Sequence, residues 1–338
     1  MPATYHDIQR LTGLSLATIS KFFNGGNVRS QNRQAIEAAV EELGYRVNEF
    51  ARSLRTSRSN TVGVLLSELD SSFNTSIIAR VEDVLRAHGY GTIICDAHRD
   101  PRVEREAVEF LLGKMVDGVL AIPVADEGTA YRPALDRKVP IVLIDRLVRD
   151  LEADAVVVSN KKASTSGVDE LVRWGHRRIA LVAGPDDSYT MRERRRGFRE
   201  ALVSHGVEPV EQYLPVAHLE VQGGYQAVLD LLALPVPPTA VFCANYELTL
   251  GAVMALNETG TRVPDDVSLI GFDNLLLTKV VRPRPTMVVQ PIERIADVAA
   301  ELMLGRLTME TWSGSRVVTL DTTLVVGESV AAPIGALQ

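Results

Sequence analysis

Residues 17–25 read ATISKFFNG, and residues 28–66 read VRSQNRQAIEAAVEELGYRVNEFARSLRTSRSNTVGVLL; these two runs decide the fold. Leu16 to Phe23 reads as a short helix capped by Ser15, with Ile19, Phe22 and Phe23 spaced i, i+3, i+4 as its buried stripe. Asn24-Gly25-Gly26 stops it. Upstream, Thr4 caps a first helix with Asp7 in its opening turn, and Gly13 ends that helix in a left-handed turn. Downstream, a third helix runs from about Gln31 to Leu43 on an apolar face of Ala35, Ile36, Ala39, Val40 and Leu43, and Gly44 closes it. Two short helices across a tight turn, braced by a third, describe a helix-turn-helix or any small three-helix domain.

The pattern NEFARSLR at 48–55 is helical but too short to be stable alone in water. It should order only against DNA or a partner copy. Arg52 and Arg55 would then face phosphates, and Leu54, far from any core pattern, is a candidate wedge. The polar run at 56–60 reads as a linker. From Thr61 the texture changes to Val/Ile/Leu runs: TVGVLLS, GTIICDA, VDGVLAIP, PIVLID, AVVVS, RRIALVAG, AVFCAN and VSLIGFD. Amphipathic helical stretches such as IIARVEDVLRAHG and EREAVEFLLGKM alternate with them. That alternation predicts parallel sheets covered by helices on both faces, and the length predicts two lobes rather than one sheet.

Charge is unevenly placed. Residues 1–60 carry eight Lys/Arg against five Asp/Glu, a net of +3, whereas the remainder is at −10. A cationic head on an anionic body presents only its head to a polyanion. The opening MPATYHDIQR has no apolar leader, and no apolar run has spanning length, which predicts a cytoplasmic protein. Cys95 and Cys243 sit in strand-like runs and read as buried thiols, and the six histidines show no metal spacing. No metal site, cofactor or catalytic set is expected. Ser159-Asn160-Lys161-Lys162 matches an acylating Ser-x-x-Lys in letters but lacks companion motifs.

In open α/β sheets, ligands bind beyond the carboxyl ends of the strands. The polar and aromatic residues there are Ser71 to Asn74, Asp96, Asp145, Arg146, Asn160, Asn245, Asp273 and Asn274. Each alone could be a turn or cap; together they point to a site.

The two quoted runs resemble the head and hinge of the lactose-repressor/galactose-repressor family of bacterial regulators. The resemblance implies a second helix in the major groove, and paired hinge helices wedging a base step in the minor groove. It puts Leu16, Ala17 and Lys21 at base edges and Thr4, Thr18 and Asn24 near the backbone, with Ser15 and Arg29 in the same DNA-facing set. Leu54 would be the wedge and Ala51 would meet the partner hinge. Gln9 and Val47 depart from the family's usual small residue and proline.

The resemblance extends over the core, through stretches such as LVRWGHRRIALVAGP, RERRRGFREAL, GAVMALNETGTRVPDDVSLIGFDN and TMVVQP, and that core is similar to periplasmic sugar-binding proteins. It implies a sugar site of Phe73, Asp145, Arg146, Arg194, Asn245, Asp273 and Gln290. Asn74, Leu219 and Tyr246 stand where the family has other residues, and Asp96 and Asn160 join the candidate effector set. Of the charge run Arg192 to Arg196, only Arg194 is expected to touch ligand; the rest reads as a solvated face.

The expected organisation is a head at 1–47, a hinge and linker at 48–60 and a core at 61–338. Within the core, lobe 1 covers about 61–159 plus 288–318, and lobe 2 about 160–287 plus 319–330. The expected function is a repressor that binds a palindromic operator as a homodimer and is released by a small sugar; no leucine heptad follows Thr323 to make tetramers. Corepression by a nucleobase, nucleoside or other metabolite is the alternative. A sugar transport protein would need a leader and no helix-turn-helix, and a sugar- or nucleoside-acting enzyme would need a reactive group.

Overall fold

Asp7 accepts from both the Thr4 N–H (2.9 Å) and the Thr4 hydroxyl (2.8 Å), and this fixes the start of α1, Tyr5–Thr12. Gly13 ends α1 at φ +70°, the left-handed region that a side chain resists. The Ser15 hydroxyl accepts from the Thr18 N–H (3.2 Å) to open α2, Leu16–Phe23. α3, Ser30–Leu43, ends at Gly44 with φ +55°. Ile8, Ile19, Ile36 and Ala39 form the centre of this head, ringed by Tyr5, Phe22, Phe23 and Tyr45. Tyr5 stacks on Phe23 at 5.1 Å. The computed structural model describes residues 3–23, 26–45, 58–273, 277–308 and 314–334. The expected hinge residues Ala51, Arg52, Leu54 and Arg55, and Asn24 of the turn, lie outside them, as do Val47 and Asn274.

The chain divides after Asn60 into two compact units. In the second, β1 (Thr61–Leu66), β2 (Gly91–Asp96), β3 (Gly118–Ala121), β4 (Ile141–Ile144) and β5 (Asp154–Val158) join β10 (Val317–Leu320) in a parallel sheet ordered β10-β5-β4-β3-β1-β2. β6 (Ile179–Val182), β7 (Ala240–Cys243), β8 (Ser268–Phe272) and β9 (Thr286–Val289) form a second parallel sheet, to which β11 (Thr323–Val325) adds antiparallel: β11-β9-β8-β7-β6. The expected runs are apolar because these strands, edge strand β2 excepted, are buried on both faces. Val62, Val64 and Leu66 face one core cluster, while Leu65 between them faces another. Ile179 and Leu181 likewise oppose Ala180 and Val182 in the second lobe. This period-two alternation of apolar residues is what a sheet covered by helices on both sides requires.

The chain crosses between lobes three times, between β5 and the helix Asn160–Arg173, between β9 and the helix Ile292–Thr308, and between β10 and β11. β9 belongs to the second sheet, so the second crossing falls at Gln290-Pro291, just after the expected boundary at 287/288. Cys243 is fully buried, but Cys95, on the edge strand β2, is only partly so; both are free thiols. Among the described residues, no helix is long and apolar enough to cross a membrane.

Candidate effector site

The carboxyl ends of both sheets open onto one cleft of about 250 Å³. Ten of the twelve expected effector residues line it: Phe73, Asn74, Asp145, Arg146, Arg194, Leu219, Asn245, Tyr246, Asp273 and Gln290. Asp145 follows β4 at φ +70° and Asp273 follows β8 at φ +64°. Left-handed backbone is uncommon outside glycine, though least costly for Asp and Asn, and two such residues at one cleft mark where local geometry serves side-chain placement.

Arg194 is the centre of the floor. The residue is 3% exposed, and its guanidinium lies 3.7 Å from the Phe272 ring centroid. Its Nε donates to Asn160 Oδ1 (2.8 Å) and its Nη1 to the Ala244 carbonyl (2.5 Å). It reaches Asn160 because the helix Tyr189–Ser204 crosses the helix Asn160–Arg173 at Gly197. A Cβ there would sit 2.4 Å from the Lys161 carbonyl oxygen. Gln290 Nε2 donates to Asp273 Oδ1 (2.7 Å), and Asp273 is pushed up to about 7 by burial, against the opposing field of Arg194. Burial likewise raises Asp145, which faces Arg146 Nε at 3.6 Å. Arg146 Nη1 donates to the Pro123 carbonyl (3.1 Å). Two buried atoms of the cleft have no hydrogen-bond partner: Arg146 Nε, a donor, and Gln290 Oε1, an acceptor. Buried polar groups are almost always paired; Arg146 Nε has Asp145 at ion-pair distance, and Gln290 Oε1 is left able to accept from something that enters.

Two cross-lobe contacts flank the cleft. Asp126, after β3, accepts from the Tyr189 N–H (3.1 Å) and from Arg192 Nη1 (2.6 Å). Arg99, after β2, pairs with Glu68 through two nitrogens (2.5 and 2.6 Å) and donates to the Leu219 carbonyl (2.9 Å). The first contact rests on a buried acid. Glu104 is fully buried and accepts from the Val124 N–H (2.7 Å), the Ala125 N–H (3.3 Å) and the Tyr131 hydroxyl (2.6 Å). Glu104→Ala strands three donors, and chemical denaturation should show a loss of about 3 kcal/mol or more.

The core region 168–330 matches a periplasmic-binding-protein-like domain. The HTH-type transcriptional repressor CytR of Escherichia coli (strain K12) is 30% identical over 332 residues, 98% of this chain and 97% of its own. The chain belongs to the LacI/GalR family. Among solved structures, the lac repressor dimer bound to operator and the anti-inducer ONPF superposes with a TM-score of 0.88 at 26% identity, covering 98% of this chain and all of that one. The transcriptional regulator CelR–cellobiose complex gives 0.74 at 30% identity, covering 97% and 99%. These relatives are LacI-family transcription regulators rather than enzymes.

Two expected effector residues lie elsewhere. The Asp96 carboxylate accepts from the Leu69 N–H (3.2 Å) and the His98 N–H (2.8 Å); it belongs to edge strand β2 and ties loops together outside the cleft. Asn160 is 2% exposed and lies behind Arg194, which it orients. Two lining residues are already committed. Asn74 Nδ2 donates to Ser67 Oγ (3.2 Å) and to the Glu68 carbonyl (2.8 Å). Asn245 caps the helix Tyr246–Glu258, accepting from the Leu248 N–H (2.9 Å), and donates to Glu247 (2.8 Å).

The solvated-face reading of the arginine run needs correction. Arg192 bridges to Asp126, and Arg195 is 7% exposed, held by Asp186 and the Gly184 and Leu214 carbonyls. Glu68, Arg99 and Glu247 also line the cleft and were missed. In the head, Thr4, Ser15, Ala17, Lys21 and Arg29 are exposed, and Leu16 and Thr18 are half-buried.

Proposed function

We propose that this LacI-family chain is a repressor that binds a palindromic operator as a homodimer and lets go when a small polyol occupies the cleft. The observation that carries the reading is Gln290 Oε1, buried without a hydrogen-bond partner, on a floor of Asp and Arg side chains where Arg146 Nε meets Asp145 only at ion-pair distance. A sugar supplies hydroxyls that both donate and accept, and Phe73 offers a ring for the apolar face of a pyranose or furanose. The relatives named as a repressor, an operator-bound dimer and a cellobiose complex support the same assembly of parts. On this reading the protein works in the cytoplasm, α2 reads the major groove through Leu16, Ala17 and Lys21, and Thr4, Ser15, Thr18 and Arg29 meet the backbone. Roles at the DNA for the hinge residues Ala51, Arg52, Leu54 and Arg55, and for Asn24, belong to the same proposal.

The test is fluorescence anisotropy on palindromic duplexes, titrated with salt and with sugars. Affinity should fall with salt at about 0.9 log units per phosphate contact per log unit of salt. Sugar should release the duplex; tightening instead would reverse the sign of the switch. Lys21→Ala should weaken operator binding about tenfold and relax preference at the base pair it meets. A uniform loss across unrelated duplexes would reassign Lys21 to the phosphates.

A further inference from the structure

The groups around the cleft are not balanced between donors and acceptors. Three guanidinium groups line it, and each is already engaged by acceptors of the protein. Arg99 is occupied by Glu68 and the Leu219 carbonyl. Arg194 is occupied by Asn160, the Ala244 carbonyl and the Phe272 ring. Arg146 donates to the Pro123 carbonyl through Nη1, and its Nε faces Asp145 at 3.6 Å, an ion pair longer than a hydrogen bond. Against these three cations the lining holds five carboxyl groups, Glu68, Asp145, Asp187, Glu247 and Asp273. The negative charge continues past the mouth in Asp70, Asp96 and Glu220. Gln290, 4% exposed, adds an acceptor with no partner. His218 is the other basic side chain of the lining and is exposed.

Such a lining asks its occupant to donate. Hydroxyl and ammonium groups donate; the phosphate of an ester or the carboxylate of a sugar acid adds acceptors and negative charge at neutral pH. We infer that the effector is an unphosphorylated polyol, neutral or bearing a basic nitrogen toward Glu247, and that phosphate esters and sugar acids are excluded. This rests on the polyol reading of the cleft given above. It also fits the upward shift of Glu247, caused first by burial and then by Glu68 and Asp70 nearby.

The experiment uses full-length protein, thermal shift and calorimetry, with matched sets: glucose, glucosamine, gluconate and glucose 6-phosphate; ribose and ribose 5-phosphate; cellobiose; adenosine and AMP. Stabilising compounds should come only from the neutral and amine-bearing members, with each phosphate or acid at least tenfold weaker than its parent. Glu68→Gln frees the Arg99 fork and should raise affinity for the phosphorylated member of the binding set about tenfold. Glu247→Gln should lower the preference for the amine over its neutral parent. A phosphate or acid that binds more tightly than its parent overturns the inference while leaving the polyol reading intact, as does a Glu68→Gln protein that melts normally and gains nothing. If no polyol of any charge stabilises the protein, the polyol reading fails first and the inference falls with it.

Discussion

Arg194→Met is expected to give a protein that ignores effector and is about 3–5 kcal/mol less stable at pH 8, because a buried countercharge has been removed. Methionine approximates the volume but not the charge. Asn160 Oδ1 and the Ala244 carbonyl lose their donor, and Asp145 and Asp273 lose the cation beside them. The loss should depend on pH. Asp273 titrates near 7, so at pH 5.5 it already carries a proton and has little need of Arg194. Urea melts of both proteins at pH 5.5 and pH 8 should therefore show the larger gap at pH 8. Equal gaps would mean that Arg194 acts through packing on Phe272 rather than through charge. Operator release, followed in parallel, should be absent in the variant at either pH.

Asp273→Asn should have the opposite effect on stability and a similar effect on response. The carboxyl rests at about 7 in the folded chain, above its ordinary 3.8, because burial penalises the ion more than Arg194 and Gln290 favour it. A raised carboxyl stabilises the folded chain fully below pH 4. That contribution is lost as pH climbs from about 4 through 7, where the unfolded chain has released a proton that the folded chain retains. Asparagine stays neutral throughout, so the variant should be the more stable protein at pH 8, by at most about 4 kcal/mol for a shift of roughly three units. The comparison to make is the difference in unfolding free energy at pH 5 and pH 8; a variant that is weaker at pH 8 would contradict it. For the native protein, a ligand hydroxyl donating to Asp273 favours the ion, so effector affinity should rise from pH 6 to pH 8. In the variant that slope should vanish.

Most of this architecture was readable because buried parallel strands are short apolar runs, and the eight runs from TVGVLLS to VSLIGFD all became strands. β9, β10 and β11 were not among those runs; β9, a buried strand, lies in TMVVQP, which entered only through the family resemblance. β10 and β11 mix exposed and half-buried residues at a sheet edge, so composition does not separate them from loop. Strand order was not legible either, because it is set by pairings between distant segments. The site was legible where one rule held, that polar residues just past a strand end face the cleft, as Asp145, Asn245 and Asp273 do. The same rule misled at Asp96, because β2 is the outermost strand of its sheet. Glu104 was illegible for a different reason. On an amphipathic helix an acid reads as solvent-facing, and only the fold brings Tyr131 and the 124–125 backbone to it.

The bridges from Asp126 to Tyr189 and Arg192, and from Arg99 to Leu219, have a consequence in time rather than in affinity. They tie the two lobes together beside the cleft, so an occupant that leaves as the lobes part must wait for both to let go. Departure is then governed by the rupture of a few short charge-assisted bonds, whatever the occupant weighs in the balance of binding. A switch built this way keeps a memory of its last signal and averages over fluctuations briefer than its own opening.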